Sequence, residues 1–207
     1  MHTKFLKYIC LFGGLLGFFS ACKEEPIYYP KPRNFPKIDF PARVQQKFDI
    51  NYCQFSFEYP TYMSFVQDTT YLNQTAKHPC WFNLHIKSLN ADIHFTYTPL
   101  DPTKNLAEQI HRIYNDGYVM SNQHDSKATL NEDLTINNPA RRVFGILYNL
   151  EGRVASPFQA VLTDSLRHAV RASLYFNTNP KADSLAPIIE FVKADIMGIL
   201  NSFEWKP

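Results

Sequence analysis

Residues 81–97, WFNLHIKSLNADIHFTY, decide the fold. Phe82, Leu84 and Ile86 alternate with Trp81, Asn83, His85 and Lys87. After a short link at Ser88–Ala91, Ile93, Phe95 and Tyr97 alternate with Asp92, His94 and Thr96. Side chains repeat every two residues along a strand, so each run presents one apolar and one polar face. The short link between them predicts an antiparallel hairpin. A sheet with an apolar side and a histidine-bearing side is therefore the framework on which the flanking sequence is read.

Upstream, Phe55, Phe57 and Tyr59 alternate with Gln54, Ser56 and Glu58, a further strand that Pro60 ends. Folding is expected to begin near Phe48. Residues 61–79 are polar and without clear periodicity. Downstream, Asp101 suits a helix N-cap and Pro102 the first helical position. Leu106, Ile110, Ile113 and Tyr114 make one apolar stripe, and Gly117 is the expected stop. Residues 121–141 are polar, with weak strand character at Ala128–Ile136.

Val143–Leu150 is apolar on both faces, which predicts a central strand covered on both sides. Strands at Phe158–Asp164 and His168–Phe176 follow through short links, giving an antiparallel meander. Asp183 and Ser184 are placed to cap the last helix, with Pro187 in its first turn. Its stripe is Leu185, Ile188, Ile189, Val192, Ile196, Ile199, Leu200 and Phe203, with Trp205 covering its end. The expected fold is α+β, an antiparallel sheet of about six strands with two main helices. This order of elements is similar to the PsbP/Mog1-like α/β/α sandwich.

The N-terminus reads differently. Lys4 and Lys7 precede an apolar run from Tyr8 to Phe19, then Ser20, Ala21 and Cys22. That is the order of a secretory signal, about a dozen apolar residues where a spanning helix needs roughly 20. Ser20-Ala21-Cys22 resembles the lipobox of bacterial lipoproteins, although Phe19 departs from the usual aliphatic residue. Cleavage after residue 21 and acylation of Cys22 are expected. Two or more acyl chains hold a protein stably on a bilayer. Residues 22–45 form a tether containing Pro26, Pro30, Pro32, Pro36 and Pro41, a density that favours extended chain. Tyr28, Tyr29, Phe35 and Phe40 could instead pack on the domain or on a partner. Lys23-Glu24-Glu25 resembles the surface-export signal of some Bacteroidetes lipoproteins. The domain is expected over 46–207.

Removing Lys4 and Lys7 balances the charges of the chain, whose full length carries 21 basic and 19 acidic residues. This argues against nucleic acid as a partner. Cys10 leaves with the signal and Cys22 takes lipid, so Cys53 and Cys80 remain. A pair in an oxidising compartment argues for a disulfide.

Candidates for chemistry are few. Asp164, Ser165 and His168 lie together, but in a hairpin link with no GxSxG elbow, and read as turn residues. With a Ser88–Ala91 link, Lys87 would face Asp92 and His85 would face His94. His85 and His94 are then the weak metal candidates, with Asp92 or Asn83 assisting, too few ligands to make a structural zinc site. No metal, cofactor or catalytic residue is therefore expected. Arg141-Arg142 reads as a solvated strand end before it reads as an anion site. Tyr28, Tyr29, Tyr62 and Tyr71 are candidates for a binding surface.

Taken in order, several segments carry a family resemblance. They are the lipobox cysteine, the Pro-rich tether, Cys53 with Phe55-Ser56-Phe57-Glu58-Tyr59-Pro60, and Cys80-Trp81-Phe82-Asn83. Val143–Gly152, Thr163-Asp164-Ser165 with His168, Ser173–Phe176, and Asp183-Ser184 through Glu204-Trp205 follow. Together they resemble the gliding-motility lipoprotein GldD family of Bacteroidetes. The resemblance implies a lipid-anchored envelope protein of the outer membrane, required for gliding motility, type IX secretion or both. Its partners would be other proteins of that machinery, and it transfers no catalytic residue. The alternative is an envelope enzyme or a small-ligand or metal-binding module on the same scaffold.

Overall fold

The computed structural model describes residues 37–71, 74–123, 127–177 and 182–206. The strands in chain order are β1 (Gln45–Phe48), β2 (Phe55–Pro60), β3 (Ser64–Gln67), the two-residue β4 (Thr70–Tyr71) and β5 (Gln74–Thr75), β6 (Phe82–Ile86) and β7 (Ala91–Pro99). Helix α1 (Leu106–Asn122) follows, then β8 (Ala128–Asn138), β9 (Val143–Gly152), β10 (Phe158–Thr163) and β11 (His168–Phe176). Helix α2 (Ala182–Ser202) and β12 (Glu204–Trp205) complete it. The fold is α+β. A seven-stranded sheet runs β3-β6-β7-β11-β10-β9-β8, and a smaller one runs β1-β2-β12. Every pairing is antiparallel. Among the described residues, no helix is long and apolar enough to cross a membrane.

The main sheet has seven strands, not the expected six, because β2 leaves it for the small sheet while β3 and β8 join at its two edges. β3 comes from a segment too polar to show a period, and β8 from one of weak strand character. Most of β8 is exposed, and Glu132 and Asp133 sit along it, which suits an edge that must not recruit another strand. Val143–Leu150 is covered on both faces as expected, yet its strand lies next to the edge. The strand buried along its whole length is β10.

The apolar face of the main sheet lies under the small sheet and α2. Phe82 stacks on Phe95 at 4.7 Å and on Phe48 at 4.6 Å, Phe48 on Phe57 at 4.7 Å, and Phe55 on Phe203 at 5.2 Å. Each fully buried phenylalanine contributes roughly 1.5–3 kcal/mol, and stacked pairs add about 0.5–1.5. Cys53 and Cys80, both fully buried, are joined in a disulfide with Cα atoms 5.3 Å apart. They stand in the turns leading into β2 and β6, so the bond ties the two layers together. Trp205 does more than cover the helix end. It pairs with Phe55 through β12 and meets Phe203 edge-on at 4.9 Å.

Packing begins before Phe48. Phe40 stacks on Phe191 of α2 at 4.3 Å. Arg43 Nε donates to Asp195 Oδ1 at 2.6 Å, its Nη2 donates to the Phe191 carbonyl, and its guanidinium lies over the Phe191 ring. The Tyr62 hydroxyl also donates to Asp195. Tyr62 is held protonated by its burial and by that carboxylate, which push its pKa far up.

Both helix boundaries of α1 differ from expectation. Asn105, not Asp101, is the N-cap, its Oδ1 accepting from the Glu108 N–H at 3.2 Å. Asp101 instead closes a turn on Thr103, whose N–H and hydroxyl donate to Asp101 Oδ1. Gly117 does not stop the helix. It is buried against β10, and a Cβ there would lie 2.8 Å from Val161 Cγ2. The close approach of helix to sheet is what requires glycine. In α2 the expected capping side chains, Asp183 and Ser184, lie outside the described side chains, and Pro187 sits inside the helix.

Candidate functional site

Helix α1 lies on the other face of the main sheet. Ile113 and Tyr114 pack against Tyr148, Leu150 and Val161 of β9 and β10. Over β6, β7 and β11 this face carries polar side chains. The registers align Asn83, His94, Ser173, Gln159 and Tyr148 in one row across five strands. The next row is Thr96, Arg171 and Val161. Where α1 ends, a half-open cleft of about 330 Å³ is lined by Asp68, Asn83, His94, Thr96, Met120, Arg171, Ser173 and Tyr175, with Phe95.

Arg171 is built into the floor of this cleft. Its Nη2 donates to Gln159 Oε1 at 2.6 Å, and its Nη1 lies against the Met120 thioether of α1. Gln159 is almost fully buried, so its amide sets the plane of the guanidinium. Beside it, His94 Nδ1 donates to Asn83 Oδ1 at 2.6 Å, which leaves Nε2 with its lone pair. Burial pulls the His94 pKa down, against the weaker opposite pull of Asp92 and Asp68, so the ring is neutral near pH 7. Its edge meets the Tyr175 ring at 5.3 Å. The cleft thus offers a fixed cation, a neutral imidazole and hydroxyl groups. That chemistry can bind a polar group by hydrogen bonds. Among the described residues no group of three or more His, Cys, Asp or Glu side chains is arranged to hold a metal.

The expected pairing of His85 with His94 does not form. The link is a 3₁₀ turn, Lys87–Leu89, closed by Asn90 at φ 49°, and β7 starts at Ala91. This moves the register by two residues, so His85 faces Asp92 and His94 faces Asn83. His85 Nδ1 lies 2.7 Å from Asp92 Oδ1, and Asn177 Nδ2 donates to Asp92 Oδ2. Each histidine has its own partner and they do not converge. Asparagine tolerates the left-handed conformation, and Asn90 is further tied to Asn177 by two hydrogen bonds.

Asp164, Ser165 and His168 form the hairpin turn. Asp164 Oδ1 accepts from the N–H groups of Leu166, Arg167 and His168 at 2.8–2.9 Å, and Ser165 takes φ 63°. Burial opposes ionisation of Asp164, but the backbone N–H groups outweigh it and hold the carboxyl below the usual range. His168 Nδ1 is engaged by the Tyr97 hydroxyl at 2.7 Å, and its ring stacks on Trp205. Tyr97 is pushed up to about 12 by burial and by the Asp164 charge. Of the tyrosines, Tyr62 is half-buried against Asp195. Tyr28, Tyr29, the Tyr71 side chain and Cys22, the expected site of acylation, lie outside the described residues.

Arg171, Ser173, Gln159 and Asp68 were not singled out by sequence. The first three stand at alternate positions of strands otherwise rich in buried residues, a signal that becomes a site only once the register is known. Asp195 was likewise hidden, a carboxylate within the apolar stripe of α2 that Arg43 and Tyr62 reach from distant sequence.

An α+β domain with two helices, a disulfide tying its layers and an open polar sheet face is the class defined by these features. Residues 25–205 match the model of the family described as gliding motility lipoprotein GldD, and the chain belongs to that family. Membership makes it a gliding-motility lipoprotein associated with the cell envelope. Among solved structures it is similar to cyanobacterial PsbP (CyanoP) from Synechocystis sp. PCC 6803, at 12% identity and a TM-score of 0.46, over 87% of this chain and 99% of that one. Nothing is carried over from that likeness. No curated protein matches the sequence.

Proposed function

We propose that the protein is anchored to the outer membrane through an acylated Cys22 and serves the gliding and type IX secretion machinery as a non-enzymatic assembly or interaction component. The observation that carries this reading is the family match across residues 25–205. The lipobox-like Ser20-Ala21-Cys22 and the prolines behind it supply the anchor and tether. The metal candidates and the residues weighed as a triad each have a local task, His85 with Asp92, His94 with Asn83, and Asp164 with its own turn. Metabolic labelling with a fatty acid tests the anchor. Label should enter the wild-type protein and not the Cys22→Ala variant, which should move to soluble fractions. Persistent label on the variant contradicts the anchor.

The cleft favours a second reading, a domain that binds a small polar ligand at Arg171 and His94. In that case Arg171→Gln should abolish function with the fold intact. In the assembly reading the same variant stays functional.

A further inference from the structure

We propose that the opposite end of the domain from the tether's contact with α2 carries a binding site for a phosphorylated group, held between Arg142 and Arg167 beside Trp205. This goes beyond the assembly reading and does not depend on it. Three segments distant in sequence meet there: the turn Pro139–Arg141 before β9, the β10–β11 hairpin, and the strand β12 with Lys206. They enclose a groove of about 310 Å³ whose lining includes Arg141, Arg142, Arg167 and Lys206.

Two carboxylates also line the groove, and both have other partners. Asp164 Oδ1 accepts three backbone N–H groups of its own turn, and Glu204 Oε1 accepts from Ser56 Oγ at 2.9 Å. Two of the four cations are similarly engaged. Arg141 Nη1 donates to the Asn201 carbonyl, and Lys206 Nζ donates to the Ile50 carbonyl and pairs with Asp49 at 2.6 Å. Arg142 and Arg167 differ from these. Both are exposed, and among the described residues neither guanidinium has a carboxylate partner.

Their backbones, by contrast, are fixed. Arg142 is held at φ 54°, a left-handed conformation uncommon for any residue with a Cβ, and Trp205 Nε1 donates to its carbonyl at 3.1 Å. The Arg167 carbonyl accepts from the Leu100 N–H at 2.8 Å, and its N–H is held by Asp164. Two guanidinium forks on pinned backbones, lining one groove, suit the chemistry of a phosphate monoester, which accepts paired N–H donors. The Arg141-Arg142 pair gains this meaning only when the fold brings Arg167 beside it.

The experiment uses the mature acylated protein in detergent. The chain has two tryptophans, so two indole N–H signals are expected in a ¹H–¹⁵N spectrum, and Trp205→Phe assigns them. Inorganic phosphate, and separately water-soluble dihexanoyl phosphatidic acid, should shift the Trp205 signal saturably and leave that of Trp81 in place. Sodium chloride at equal ionic strength should not. Arg142→Gln/Arg167→Gln should weaken binding roughly tenfold or more with the Trp81 signal unchanged, and Arg142→Lys/Arg167→Lys should fall between. Tighter binding of the lipid assigns a headgroup as the source, and equal binding assigns free phosphate. The proposal is overturned if neither probe gives a saturable shift, if chloride gives the same one, or if the glutamine variant binds as well as wild type.

Discussion

Asp164 is a single carboxylate that closes the β10–β11 turn by accepting three backbone N–H groups. Its folded pKa lies below its unfolded value, so its contribution is fully present above the ordinary carboxylate range and is lost as pH falls through the folded pKa. His78, His94 and His168 are all lowered, each chiefly by burial. Their contribution is present above about pH 6.5 and declines as pH drops below it. Thermal melts from pH 7 downward should therefore show stability falling first through the histidine range, then through the carboxylate range. Asp164→Ala should cost about 2–3 kcal/mol at pH 7, and the gap from wild type should narrow below about pH 4. A gap that stays constant to pH 3 would show that the charge on Asp164 is not what holds the turn. At the other end, Asp195 is buried and depends on Arg43 and Tyr62. Arg43→Ala should cost about 2–4 kcal/mol by leaving that charge without its cation. Adding Asp195→Asn should recover most of the loss in chemical denaturation, and no recovery would argue that Arg43 acts by packing on Phe191 alone.

At the level of elements, the Cys53–Cys80 bond joins β2 to β6 across a separation of 27 residues. In the chain-entropy picture a loop of that length stabilises by about 3.5 kcal/mol. For a domain of this size that corresponds to a melting temperature roughly 10 °C lower for Cys53→Ala/Cys80→Ala. Scanning calorimetry checks it, and an unchanged transition would count against the bond. The strands that were legible in the sequence, β2, β6, β7, β9, β10 and β11, each have an apolar face in the core. β8, of weak strand character in the sequence, is an edge strand with mostly exposed side chains, and those that were not legible, β1, β3, β4, β5 and β12, are short strands at sheet edges or in the two-stranded pair β4-β5. Gly117 was misread because sequence shows a helix stop and a close helix–sheet contact with the same residue. The His85–His94 pairing failed for a related reason, since one left-handed asparagine after a 3₁₀ turn changes every partner in the hairpin. The cleft depends on that register, and so its residues were individually visible but not visibly a site.

For the whole molecule, the family is recognised over residues 25–205, most of the chain's length. We propose that this domain supports its machinery by surface contacts while anchored, with no residue acting as catalyst. Reporter-cargo secretion in a deletion strain, complemented at matched protein levels, measures that claim. Cells carrying His85→Ala/His94→Ala, or Ser165→Ala/His168→Ala, should secrete as wild type does, provided the variant is folded and abundant. A folded, abundant His85→Ala/His94→Ala protein that fails to support secretion would contradict the account.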